Sequence, residues 1–259
     1  MASDKILLCT TDERGVASLR LNRPACRNAL DGDLMQDICD RLDELESDPA
    51  CRILVLTESG AAFCAGADFV WLEQVLAGGH SSNRADAELL AKMMWRLYAF
   101  PKPSIALVNG PAYGGGAGMV GCCDLALAVV AARFAFSEVR LGLVAAVIAP
   151  YVISAIGARH ARRLMLTGEP FNASQALELG LVSEVVMHAE VDAVLERDLA
   201  HLLQGDATAQ RETKAMLRHY QGHGDELMRY GAGLTSRVRA SDVARIRMRE
   251  FLQRRRERG

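Results

Sequence analysis

Runs of apolar residues along the chain change period often enough to predict its elements. Residues 6–9 and 16–21 are short β-rich runs, and the polar stretch 12–15 between them reads as a turn. Asn22-Arg-Pro24 ends the second run. Asp31 predicts the N-cap of a helix that keeps Leu34, Ile38, Leu42 and Leu45 on one face. Residues 52–57 (RILVLT) predict a buried parallel strand, broken by Ser59-Gly60. An amphipathic helix follows over 89–100, and Pro101 and Pro103 frame a stop before a second buried strand at 105–108. Gly114-Gly-Gly116 opens a helix of small residues, and 125–130 returns as a strand. Strand and helix in alternation predict βαβ units and an α/β fold. From about Ala146 the pattern is mostly helical, with one short strand within 181–186. The segment 77–83 (AGGHSSN) is expected to be a mobile loop.

Composition narrows the class. With 259 residues and 50% hydrophobic content, the chain can build a large core. A net charge of −2 gives no reason to expect a nucleic-acid coat or a membrane-surface protein. Seven cysteines, an odd number without a C-x-x-C pair, fit free thiols in a reducing compartment. The N-terminal stretch MASDKILLCTTDERG has acids where a signal peptide needs basic and then apolar residues. A cytoplasmic location without membrane attachment is the expectation.

Three segments carry candidate chemistry. Ala61-Ala-Phe-Cys-Ala-Gly-Ala-Asp68 and Asn109-Gly-Pro-Ala-Tyr-Gly-Gly-Gly-Ala-Gly118 each follow a predicted strand. They are small-residue turns at carboxyl ends of strands, where open α/β sheets place ligands. Small residues let a ligand approach the main chain closely, and a helix start adds unpaired N–H groups. Two such turns can hold one developing oxyanion. Phe134-Ala-Phe-Ser-Glu138 brings a carboxylate to the end of a short apolar strand.

With these segments in view, the chain resembles the crotonase (enoyl-CoA hydratase/isomerase) family from Leu21 to about Val186. Leu21-Asn-Arg-Pro24 with Arg27-Asn-Ala-Leu30 looks like its opening motif. Phe63-Cys-Ala-Gly-Ala-Asp68 resembles its first oxyanion segment, and Gly114-Gly-Gly116 with Cys123-Asp124 resembles the second. Gly168, Phe171, Ala173, Ala176 and Gly180-Leu-Val182 match a later stretch.

The resemblance implies a crotonase-like ββα spiral core over residues 1–195 and a C-terminal helical trimerisation segment over 196–259. It implies an acyl-CoA substrate, no cofactor beyond the coenzyme A of that substrate, and a homo-oligomer, a trimer or a dimer of trimers. The amides of Ala67 and Gly115 would bind the thioester oxygen. Main chain around Cys26, Arg27, Ala29, Ala65, Gly66, Asp68 and Phe69 would hold the substrate and its CoA, with Gly114 beside them. Hydratases of the family carry two glutamates. Here Gly118 stands at the first position, and Glu138 is the second. Gly118 is expected to leave space for water or a branched chain, while Glu138 activates water and then protonates the α-carbon. Ser137-Glu-Val-Arg-Leu-Gly142 with Ala149-Pro-Tyr-Val152 most resembles the branch that hydrates branched glutaconyl-CoA thioesters. An isomerase with one base is the alternative. A glutaconyl carboxylate needs a cation, for which Arg84, Lys92, Arg96 and Arg140 are candidates. Met94, Trp71 and Tyr98 are candidates for the acyl pocket.

Other readings compete. Gly116-Ala-Gly118-Met-Val-Gly121 matches G-x-G-x-x-G, with Glu138 as the following acid, but it lies far from the first βαβ unit. Residues 237–258 hold nine Arg against three acids, a basic end that raises RNA binding as a further reading. No aromatic besides Phe251 is interleaved there, so the solvated face of a helix with Ile246, Phe251 and Leu252 packing inward is preferred. His219 and His223 could share a helix face, but no third ligand is near, and no metal is expected. Ser104, Ser137 and Ser154 lack the strand–elbow context of a serine hydrolase.

Overall fold

The structure, a computed structural model, describes residues 5–222 and 224–257. The first half is built by strands and helices in alternation: β1 (Leu7–Thr11), β2 (Val16–Leu21), α1 (Gly32–Ser47), β3 (Ile53–Glu58), α2 (Phe69–Ala77) and α3 (Gly79–Ala99). Next come β4 (Ser104–Val108), β5 (Ala112–Tyr113), α4 (Gly115–Cys122), β6 (Leu125–Val129) and β7 (Arg133–Ala135). After α5 (Ala149–Thr167), β8 (Phe171–Asn172), α6 (Ala173–Leu179) and β9 (Glu184–Val186), four helices finish the chain. These are α7 (Val191–Leu203), α8 (Ala207–Gln221), α9 (Asp225–Arg239) and α10 (Asp242–Arg256).

A six-stranded sheet runs in the order β1-β2-β3-β4-β6-β9, antiparallel only between β1 and β2. Every residue of β3 and β4 is buried, as expected for central parallel strands covered on both faces. A small second sheet, β5-β7-β8, stands apart from it. Asp31 caps α1 as its sequence predicts, its carboxylate accepting the Leu34 N–H at 2.9 Å. Leu34, Ile38, Leu42 and Leu45 are buried together. The chain is thus α/β with a helical C-terminal segment.

Several expectations need correction. The stretch 77–83 is not a loop. Gly78 caps α2, Gly79 starts α3, and Asn83 is buried and donates to the Ser236 carbonyl at 2.6 Å. The boundary expected at residue 195 falls inside α7, whose Val191 and Leu199 belong to the main core. The inward face of α10 is Ala244, Met248 and Leu252, of which Ala244 and Met248 pack with Leu72 and Leu143. Ile246 faces outward, and Phe251 reaches the core side only by meeting Phe69, ring centroids 4.7 Å apart. Among the described residues no helix is long and apolar enough to cross a membrane.

Candidate active site

The carboxyl ends of β3 and β4 are joined by one carboxyl group. Glu58, the last residue of β3, is 3% exposed and accepts the Asn109 N–H at 2.8 Å and the Thr57 hydroxyl at 3.2 Å. The chain beyond Glu58 leads to Ala67, and the chain beyond Asn109 leads to Gly115. Burial pushes the Glu58 carboxyl up to about 7 from an ordinary 4.5. A carboxyl raised on folding gives stability that is fully present below its unfolded value and is lost as pH rises through about 7. Glu58→Gln is therefore expected to need more urea to unfold than the wild type at pH 8, and a similar amount at pH 4. Urea titrations at the two pH values check this.

Among the described residues, two amides near these turns have no acceptor. Leu30 and Ala67 form a parallel bridge in which Leu30 N–H donates to Gly66 O and Asp68 N–H donates to Leu30 O, both at 2.8 Å. Both bonds leave one edge of the extended backbone, so the N–H of Ala67 faces the other edge. Gly115 is the first residue of α4, where an N–H has no partner within the helix and the dipole favours negative charge. Gly114 before it has φ 51° and ψ −118°, a conformation that suits glycine. A methyl group on Gly114 would lie 3.0 Å from Glu138 Oε1 and 3.9 Å from the Cα of Gly66. The two turns and the carboxyl of Glu138 thus meet at one place.

That place is a mostly apolar cavity lined by Ala65, Gly66, Ala67, Phe69, Gly114 and Gly115, with Glu138 beside them. Glu138 follows β7 at the start of a 3-10 turn, Glu138–Leu141. Its Oε2 is buried without a partner, and burial pushes the carboxyl up to about 7. A backbone hydrogen bond and the charge of Arg239 act the other way. Arg140 does not pair with Glu138, since its Nε donates to the Thr167 carbonyl. A carboxyl poised near neutrality can take and return a proton at working pH.

Other candidates fall elsewhere. Asp68 does not line the cavity. Its carboxylate caps α2, accepting from Val70 N at 3.0 Å and Trp71 N at 3.4 Å, and it meets Arg23. Gly118 leaves no space. It is buried away from the cavity, and a methyl group there would lie 2.3 Å from Ile148 Cγ2. The segment holding Cys26, Arg27 and Ala29 runs beside the cavity wall, tied by Ala65 N–H to the Arg27 carbonyl at 3.0 Å. Trp71 lines the cavity, whereas Tyr98 lines a different one, and Met94 is buried beneath α4.

Of the four cations named for a substrate carboxylate, none lines the cavity. Arg84 pairs with Glu88, and Arg96 pairs with Asp43. The structure adds Asp86, Thr235 and Arg239, which sequence reasoning missed. Among the described residues no group of three His, Cys, Asp or Glu is placed to hold a metal, and His223 lies outside them.

A pair of free amides beside a carboxyl raised toward neutrality is an arrangement that can stabilise an oxyanion while moving a proton. Comparison with known proteins makes the class particular. Residues 11–258 match the family described as Enoyl-CoA hydratase/isomerase, and the chain belongs to it. An enoyl-CoA hydratase from Shewanella pealeana ATCC 700345 has a solved structure with 35% identity, covering 96% of this chain and 94% of its own, at a TM-score of 0.81. Crotonyl-CoA hydratase from Syntrophomonas wolfei is 33% identical over 217 residues, 83% of this chain and 82% of its own. The 4-chlorobenzoyl coenzyme A dehalogenase-1 of an Arthrobacter species is 36% identical over 181 residues, 68% of this chain and 64% of its own. The relatives thus share one scaffold across more than one reaction on a CoA thioester.

Proposed function

We propose that the chain adds water across the α,β double bond of an enoyl-CoA thioester and catalyses the reverse dehydration. The amides of Ala67 and Gly115 hold the thioester oxygen as it gains charge. Glu138 takes a proton from water and delivers it to the α-carbon from the same face. The unpartnered, buried Glu138 carboxyl next to Gly114 carries this reading. The main chain of Cys26, Arg27 and Ala29 would hold the CoA moiety. Within the same proposal the acyl group is a branched glutaconyl chain, as in 3-methylglutaconyl-CoA or isohexenylglutaconyl-CoA. The cavity-lining Arg239 supports that class, because a second carboxylate needs a cation. The protein would act as a trimer or a dimer of trimers, since α8 leaves Met216, Leu217 and Tyr220 exposed.

Filled space at Gly118 favours a second reading, a Δ3–Δ2 enoyl-CoA isomerase, because one carboxyl is enough to move a proton. Product identity separates the two. The expected result is loss of the conjugated enoyl absorbance with 3-methylglutaconyl-CoA in a panel that also holds crotonyl-CoA and a 3-enoyl-CoA. An absorbance rise with the 3-enoyl thioester alone would make the chain an isomerase.

A further inference from the structure

One side of the acyl cavity is polar beyond what proton transfer or an oxyanion requires. Arg239, the last residue of α9, is 6% exposed and lines the cavity. Its Nη1 donates to Oδ2 of Asp86, and Oδ1 of Asp86 accepts the Trp71 indole N–H at 2.8 Å. The side chain of Asn83, one turn before Asp86, grips the Ser236 carbonyl and fixes α9 against α3. A buried ion pair is weak support for a fold, because the loss of hydration offsets its attraction. The pair is better explained by what Arg239 has left to offer.

Asp86 takes one nitrogen of the guanidinium. Among the described residues the Nε and Nη2 groups have no acceptor, yet neither atom is sealed from open space. Their open side is therefore the cavity that Arg239 lines. A guanidinium edge matches a carboxylate with two parallel hydrogen bonds, and little freedom is lost because Asp86 already holds the group. Thr235, one turn earlier on α9, also lines the cavity with its hydroxyl buried and unpartnered. Arg239 and Glu138 line the same cavity, and the charge of Arg239 opposes the upward shift of the Glu138 carboxyl. The cavity itself is about 100 Å³, room for a short chain.

We infer that Arg239, oriented by Asp86 and Trp71, determines specificity by binding the far carboxylate of a short dicarboxylic acyl chain carried on CoA. This rests on the enoyl-CoA reading, and it names the residue that selects the acyl group. Asp86 is a positioning residue, acting through Arg239.

The test compares matched thioesters, glutaconyl-type against methyl-ended enoyl-CoA of equal length. They are measured on wild type, on Arg239→Lys, and on the double variant Asp86→Asn/Arg239→Gln, which leaves neither charge buried alone. Circular dichroism confirms folding, and the readout is the ratio of KM values. Wild type is expected to favour the dicarboxylic substrate by about 10–100-fold, the range of one or two charge-assisted bonds. The lysine variant should lose part of that preference and the double variant all of it. An equal ratio in all three proteins overturns the inference while leaving hydration standing. If wild type turns over none of the thioesters, hydration fails instead. Calorimetric binding of glutaryl-CoA against butyryl-CoA then decides the role of Arg239: a tenfold preference lost in the double variant supports it, and no preference overturns it.

Discussion

Glu138→Gln is expected to lower kcat for thioester turnover by about 10²–10⁴-fold, the range typical of a positioned acid/base group. The loss comes from the chemistry alone. Glutamine keeps the shape of the side chain beside Gly114 and leaves the amides of Ala67 and Gly115, the proposed oxyanion donors, in place. Affinity for a saturated acyl-CoA should therefore change little. Wild-type kcat/KM should rise with pH through about 7, because the ionised carboxyl must receive the proton and burial holds it near that value. The same shift fixes the sign for stability. A carboxyl raised on folding contributes stability below its unfolded value and loses it as pH rises through about 7. At pH 8 the glutamine variant should thus be no less stable than wild type. Full turnover by a folded Glu138→Gln protein would remove Glu138 from the mechanism; a lost rising limb with retained binding is the expected result.

The legible parts of this chain were those set by local pattern. A fully apolar run at Ile53–Leu56 can only be covered on both faces, and Asp31 before a 3.6-residue period can only be a cap. The glycine-rich turns were also visible, since close approach to main chain demands small residues. Around the acyl cavity the sequence misled. Gly78-Gly79 looks like loop chemistry, but the pair merely separates α2 from α3. A signal was available there: stepping back from Leu97 through Met93 and Leu90 by alternating threes and fours lands on Asp86 and Asn83. Polar residues at inward positions of a helix mark a buried polar site. Arg239 had no local mark at all. It sat among many arginines of a basic end, and only the packing of α9 on α3 distinguishes it from the solvated ones.

Gly118 shows the same limit, because space at a glycine is a property of its neighbours. Gly118→Glu, which would restore the two-carboxylate pattern, is expected to abolish activity and to destabilise the fold. The first carbon of any side chain would sit 2.3 Å from Ile148 Cγ2 and 2.8 Å from Ile148 Cβ, with Met94 Cε at 3.5 Å. Overpacking of this kind costs about 1–3 kcal/mol. Burying a carboxyl among apolar groups without a partner adds a cost of similar or greater size. Gly118 is also inside α4, whose first amide is the proposed oxyanion donor, so a helix pushed away from Ile148 would move Gly115 as well. Ile148→Ala alone should be destabilising through the cavity it leaves, by about 2–5 kcal/mol. Combined with Gly118→Glu it should cost clearly less than the sum of the two, because the new side chain then enters the vacated space. Urea unfolding of the two single variants and the double variant measures that coupling. Strict additivity would show that Ile148 is not what excludes a side chain at 118. A stable Gly118→Glu protein with faster hydration would show that Ile148 yields and that the acyl cavity accepts a second carboxyl.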